Sequence, residues 1–272
     1  MSTTPATPED KLHRLGARHS QLTSLAVGPW HTAEFATAVA NVGEEIFLQH
    51  YPDVEQACNG IAYEEIVPEL ILVAQSLPGA VRQHEVDRLQ QLAPLARIVV
   101  VAGTWCEGEL RTGRPPNGVL RLYWYELATW WQAAQRRWSI GLCPAWSAPL
   151  DHPQAGRFAI DSTIDGLSLP GVVAIDSADY AVFECLADAL GASAIWARND
   201  GSLRAAAGIW DGGQLNDLEL HKLTHFCRQV TGPVVALLDF PRVEHFAAAR
   251  AAGAAAVFAK PYVIEEVLAA LN

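Results

Sequence analysis

From residue 21 onward, short apolar runs alternate with longer segments whose apolar positions recur at helical spacing. The first series predicts strands over residues 25–28, 45–50, 69–74, 98–102 and 118–124. Between and after them it predicts helices over 32–42, 54–62, 83–92 and 126–137. Near-continuous apolar strands separated by helices specify a parallel sheet covered on both faces. Residues 104–117 stand where a fourth helix would fall, but Gly108, Gly113, Pro115 and Pro116 predict a loop there.

The rhythm breaks over 139–171, where Pro144, Pro149, Pro153 and Pro170 predict a linker, or an ordered loop packed between two domains. It restarts at 172. Strands are expected over 172–175, 193–197, 206–210, 234–238 and 255–259, with helices over 180–190, 218–230, 243–252 and 264–271. The two series superpose, Gly43 on Gly191, Ala74 on Asp211, Ala102 on Leu238 and Trp124 on Lys260. The offset between them contracts once, between the second and third strands, and then holds, which is the pattern of a degenerate internal repeat. The organisation expected is a polar lead over 1–20, an α/β domain over 21–138, the linker over 139–171 and a second α/β domain over 172–272.

The chain has 272 residues, half of them hydrophobic, which is enough to bury a sizeable core and too apolar for a disordered polypeptide. A formal charge of −11 repels phosphate backbones and anionic membranes, so nucleic acid is an unlikely partner. The five cysteines form no CxxC pair, which leaves no zinc knuckle or thioredoxin-like motif. Without a signal-peptide core at the start or an apolar run long enough to span a bilayer, a cytoplasmic protein with no membrane partner is expected. No GxxxxGK[ST], GxGxxG after a strand, or GxSxG is present, which removes the common nucleotide-binding and hydrolase readings of such a sheet.

The segment PVVALLDFPRVEHFAAARAAGAAAVFAKPYVIEEVLAALN, with its turn at Gly253 and the Lys260-Pro261 pair before a terminal helix, resembles the receiver domain of bacterial response regulators. PELILVAQSLPG, residues 68–79, is similar to the third strand and following loop of the same family, though less closely. The resemblance implies two tandem flavodoxin-like, receiver-like domains, each a doubly wound five-stranded parallel sheet in the order 2-1-3-4-5 with helices on both faces. It also implies a site at the carboxyl edge of the second sheet, with Asp211 as phospho-acceptor and Lys260 contacting the phosphoryl group. Asp176, Asp179 and Asp211 would hold Mg²⁺, the one cofactor the resemblance brings.

The sequence departs from that pattern. Ser177 replaces the second of two adjacent acids, Leu238 stands where a Ser or Thr would bond the phosphoryl group, and Val257 replaces the coupling aromatic. In the first half Ala74 stands at the acceptor position and Trp124 at that of the lysine. The reading expected is therefore a non-catalytic signalling or regulatory module of pseudo-receiver domains. Its partner would be a protein, a kinase or a regulator, met through the fourth and fifth helices, with a homodimer as a further option. One alternative is an atypical phospho-accepting regulator using Asp211 with Mg²⁺. Another is an enzyme with its site in the first-domain loop, near Cys106 and Glu107.

Trp130 and Trp131 with Arg137, on a tryptophan-rich helix, are read as a contact surface, between domains or toward a partner. His221 and His225 are four apart on a predicted helix, but lack a third ligand at helical spacing and are expected as boundary residues rather than a metal site.

Overall fold

The computed structural model describes residues 22–42, 47–64, 66–150, 171–191, 194–197 and 204–271. The expected lead over 1–20 and most of the segment 151–171 lie outside the described residues. In the first half, β1 (Thr23–Val27), β2 (Phe47–Tyr51), β3 (Leu70–Gln75), β4 (Arg97–Ala102) and β5 (Leu120–Tyr123) form one parallel sheet in the order β2-β1-β3-β4-β5. In the second half, β6 (Val173–Ser177), β7 (Ala194–Trp196), β8 (Ala207–Asp211), β9 (Val234–Asp239) and β10 (Ala256–Lys260) form another, ordered β7-β6-β8-β9-β10. Each is the 2-1-3-4-5 arrangement, so the chain is a tandem of doubly wound α/β units.

Strand alternation divides each core in two. Leu70, Leu72 and Ala74 of β3 face α1 (Ala33–Val42) and α5 (Leu127–Ser139), while Ile71 and Val73 face α2 (Val54–Tyr63) and α3 (Gln83–Leu92). In the second half, Ile175 and Ile209 lie with α6 (Tyr180–Leu190) and α9 (Ile264–Ala269), and Trp210 and Ala236 with α7 (Asp217–Gln229) and α8 (Val243–Ala251). Gly191 ends α6 in the left-handed conformation, φ 54°, which a side chain adopts only with strain.

One expectation is corrected. Residues 104–117 are not a plain loop: a 3₁₀ turn over Thr104–Cys106 and a one-turn helix, α4 (Glu109–Thr112), form where buried Cys106 and Glu109 anchor the segment. Of the two forms expected for the segment from 139, its described part, to 150, takes the ordered one, packed on the first half. α5 runs to Ser139, and Ala145 and Trp146 join the first-half core, with Trp146 stacked on Trp131 at 5.0 Å between ring centroids.

The halves meet through α8. Val243 and Phe246 pack on the first-half core, and the Phe246 ring lies 5.0 Å from Trp124 and 6.2 Å from Tyr125. α9 and the end of β10 complete this seam opposite Glu126, Thr129 and Trp130. The helices that follow the fourth and fifth strands of the second half, α8 and α9, are thus engaged by the first half of the same chain.

Candidate functional site

The carboxyl edge of a parallel sheet gathers the residues that follow its strands. In the second sheet, β8 ends at Asp211, and register sets it beside Ser177 of β6 on one side and Leu237 of β9 on the other. β10 ends at Lys260, paired in register with Asp239 of β9. The Lys260 Nζ lies 2.7 Å from Asp211 Oδ1 and 3.2 Å from Asp239 Oδ1, and donates to the Gly212 carbonyl at 2.6 Å. Ser177 Oγ donates to the other carboxylate oxygen, Asp211 Oδ2, at 2.6 Å. Partial burial disfavours the Lys260 ammonium, but hydrogen bonds and charge from Asp211 and Asp239 outweigh it and hold its pKa above the ordinary lysine value. Leu238 is fully buried and Val257 nearly so, both within the face covered by α7 and α8.

Asp211 and Lys260 therefore meet as the strand order expected. The proposed metal ligands do not. Asp179 caps α6, its carboxylate accepting from the Ala181 N–H at 2.8 Å. Asp176 points to the opposite face of β6 from Ser177, by the two-residue strand period, and lines the cleft beside α7. Among the described residues no three His, Cys, Asp or Glu side chains converge to hold a metal ion. A Mg²⁺ ion, which keeps several waters and takes one or two carboxylates, would draw here on Asp176 and Asp211, which line the same cleft, and not on Asp179. The chemistry available here is a charge clamp, with one ammonium held between two carboxylates.

Asp239 and the Ser177 bond were not singled out from the sequence. The signal for Asp239 was present, because an acid placed directly after the apolar run 234–238 ends β9 at the same level as Lys260.

The corresponding edge of the first sheet is closed. Ala74 is buried, and Trp124 donates its indole N–H to Thr104 Oγ1 at 3.1 Å. Arg121 of β5 reaches Glu109 Oε2 at 2.7 Å and Gln75 Oε1 at 2.9 Å. Gln75 in turn donates to both Glu109 oxygens at 3.0 Å, and the Gly79 N–H to Oε1 at 2.7 Å. Glu109 is only 2% exposed. This network was missed, although a lone arginine in the apolar strand over 118–124 demands a buried partner.

Cys106, the centre of the enzymatic alternative, is fully buried, and burial pushes its thiol up to about 11 despite the nearby Arg121 guanidinium. Its Sγ donates to the Gln75 carbonyl at 3.4 Å, beside this network, while Glu107 lines the cleft on the other side of the loop. Trp130 and Trp131, expected on a contact surface, are 5% and 2% exposed. Both pack in the first-half core, Trp131 stacked on Trp146, while Trp130 also lines the seam toward α9, beside the docking of Phe246 on Trp124 and Tyr125. Arg137 donates to the Cys143 carbonyl at 3.1 Å, tying α5 to the segment after it. His221 and His225 lie exposed on α7, with His225 within 3.2 Å of Gln229.

No family model matches the chain, and no curated protein matches it. Among solved structures, tagatose-6-phosphate ketose/aldose isomerase from Escherichia coli is 11% identical, with 95% of this chain and 81% of that chain covered, at a TM-score of 0.26. A protein designated as a D-3-phosphoglycerate dehydrogenase oxidoreductase from Ralstonia solanacearum is 12% identical, with 89% and 82% covered, at 0.23. Likenesses this slight carry no argument about activity. No helix among the described residues is long and apolar enough to cross a membrane.

Proposed function

We propose that the chain is a non-catalytic regulatory module built from two pseudo-receiver domains, 21–138 and 172–272, joined by 139–171. The observation that carries this reading is the state of Asp211. One carboxylate oxygen is clamped by Lys260 and the other accepts from Ser177, so the position that would take a phosphoryl group is already satisfied internally. Leu238 supplies no donor beside it, and Asp179 is spent on a helix cap.

The second half meets the first through α8 and α9, the helices after its fourth and fifth strands, which form the contact face that the receiver resemblance brings. A protein partner, a kinase or a regulator, would then dock on a different face. The reading places the molecule in the cytoplasm.

The competing reading, Asp211 as an atypical phospho-acceptor, has the 2.7 Å Lys260 contact on its side. The two separate on incubation with acetyl phosphate and Mg²⁺, followed by intact mass. The expected outcome is no phosphoryl adduct under conditions that modify a working receiver. A labile adduct that disappears in Asp211→Asn would establish the phospho-acceptor instead.

A further inference from the structure

The two halves enclose a cleft of about 700 Å³ at the carboxyl edges of both sheets, a size and position typical of small-molecule sites. Each half contributes one exposed aromatic ring to it, from the loop directly after its own fourth strand.

Trp105, after β4, is 71% exposed, although its neighbours are fastened. Thr104 gives both its N–H and its hydroxyl to Glu34 Oε2 at 3.0 Å, and Cys106 is fully buried. Phe240, after β9, is 58% exposed and holds φ 45°, a left-handed conformation that strains a bulky residue. Backbone strain that keeps a large apolar ring in solvent serves no packing purpose, and such outliers gather at ligand sites. Arg242 bridges the halves with its guanidinium 5.9 Å from the Trp105 ring centroid and 4.0 Å from the Glu244 carboxylate.

The charge of the cleft narrows the ligand. Glu34 and Glu244 line it against the single arginine, which already faces an acid, and Glu107 adds a carboxyl that burial keeps partly protonated near neutral pH. A phosphate would meet net repulsion there, whereas ring amino groups would find carboxylate acceptors. We infer that this cleft binds a planar, amino-bearing heteroaromatic ligand without phosphate, of nucleoside size, stacked on Trp105 and Phe240. The inference is independent of the state of Asp211.

The test uses the full chain, with saturation-transfer NMR and calorimetry against adenosine, guanosine and cytidine, and AMP as the phosphorylated comparison. Saturable binding of at least one nucleoside is expected, with AMP several-fold weaker than adenosine wherever adenosine binds. Trp105→Ala and Phe240→Ala should each weaken binding by about tenfold, given what stacking on an aromatic ring is worth per base. Both side chains are more than half exposed, so the variants keep the fold, which circular dichroism verifies. Absence of saturable binding by all three nucleosides would overturn the inference. So would unchanged affinity in both variants, or AMP binding more tightly than adenosine.

Discussion

Glu109 and Arg121 form a buried ion pair in which the carboxylate also accepts from Gln75 and the Gly79 amide and Arg121 also donates to Gln75, while Arg121 Nε finds no partner among the described residues. Removing one member leaves a charge in the interior without its counter-ion, the costly way to break such a pair. Glu109→Ala should lower stability by about 3–5 kcal/mol, read from urea unfolding. Replacing both members together, Glu109→Leu with Arg121→Met, should recover most of that loss, because the stranded charge is gone. At the other edge, Lys260 separates two carboxylates. Lys260→Ala should lower the melting temperature at pH 7, and the deficit should shrink as pH rises through the raised pKa of the Lys260 ammonium, above the ordinary lysine range. A deficit independent of pH would mean that the aliphatic stem, not the charge, is what matters.

At the level of elements, most of the fold was legible because apolar strands and amphipathic helices have different periods, and the internal repeat allowed each half to check the other. The expected bounds of helix 83–92 coincide with α3, and Gly191 stops α6 as its position indicated. Residues 104–117 were misread because glycine and proline content reports local preference, whereas the α4 turn exists through the tertiary bond of Glu109 to Arg121. The candidate site was legible only in part. Strand order brings Asp211 to Lys260, but sequence alone does not reveal that Asp179 caps α6, since a loop acid before a helix serves either role. Asp179→Ala should cost about 1 kcal/mol through the lost cap, and Asp179→Ser should restore most of it. Gly191→Ala should cost a similar amount, about 1 kcal/mol, through its left-handed backbone. Thermal melts report both.

Across the whole molecule, acids accumulate where the halves meet. Burial raises the Glu266 carboxyl to about 7, helped by the charge of Glu126 across the seam and opposed by Arg136. Glu107 is likewise raised to about 7, chiefly by burial, against the hydrogen bond from Tyr125 and with the charge of Glu126 adding to it. A carboxyl with a raised folded pKa binds more protons native than unfolded between about 4.5 and 7, so its contribution to stability declines as pH rises through that window. Glu266→Gln should therefore match the native protein near pH 5 and exceed its melting temperature by a few degrees at pH 8. Equal melting temperatures at both pH values would show that Glu266 does not titrate in this window. The Phe246 contact has a different consequence, for dissecting the chain. The ring fills a notch edged by Trp124 and Tyr125, so the first half cut out alone would present an open aromatic socket to water. The second half, cut out alone, would uncover Phe246 and Val243 together with the α9 side of the seam. Each half thus carries apolar surface that the other covers, and either one expressed by itself would be prone to self-association.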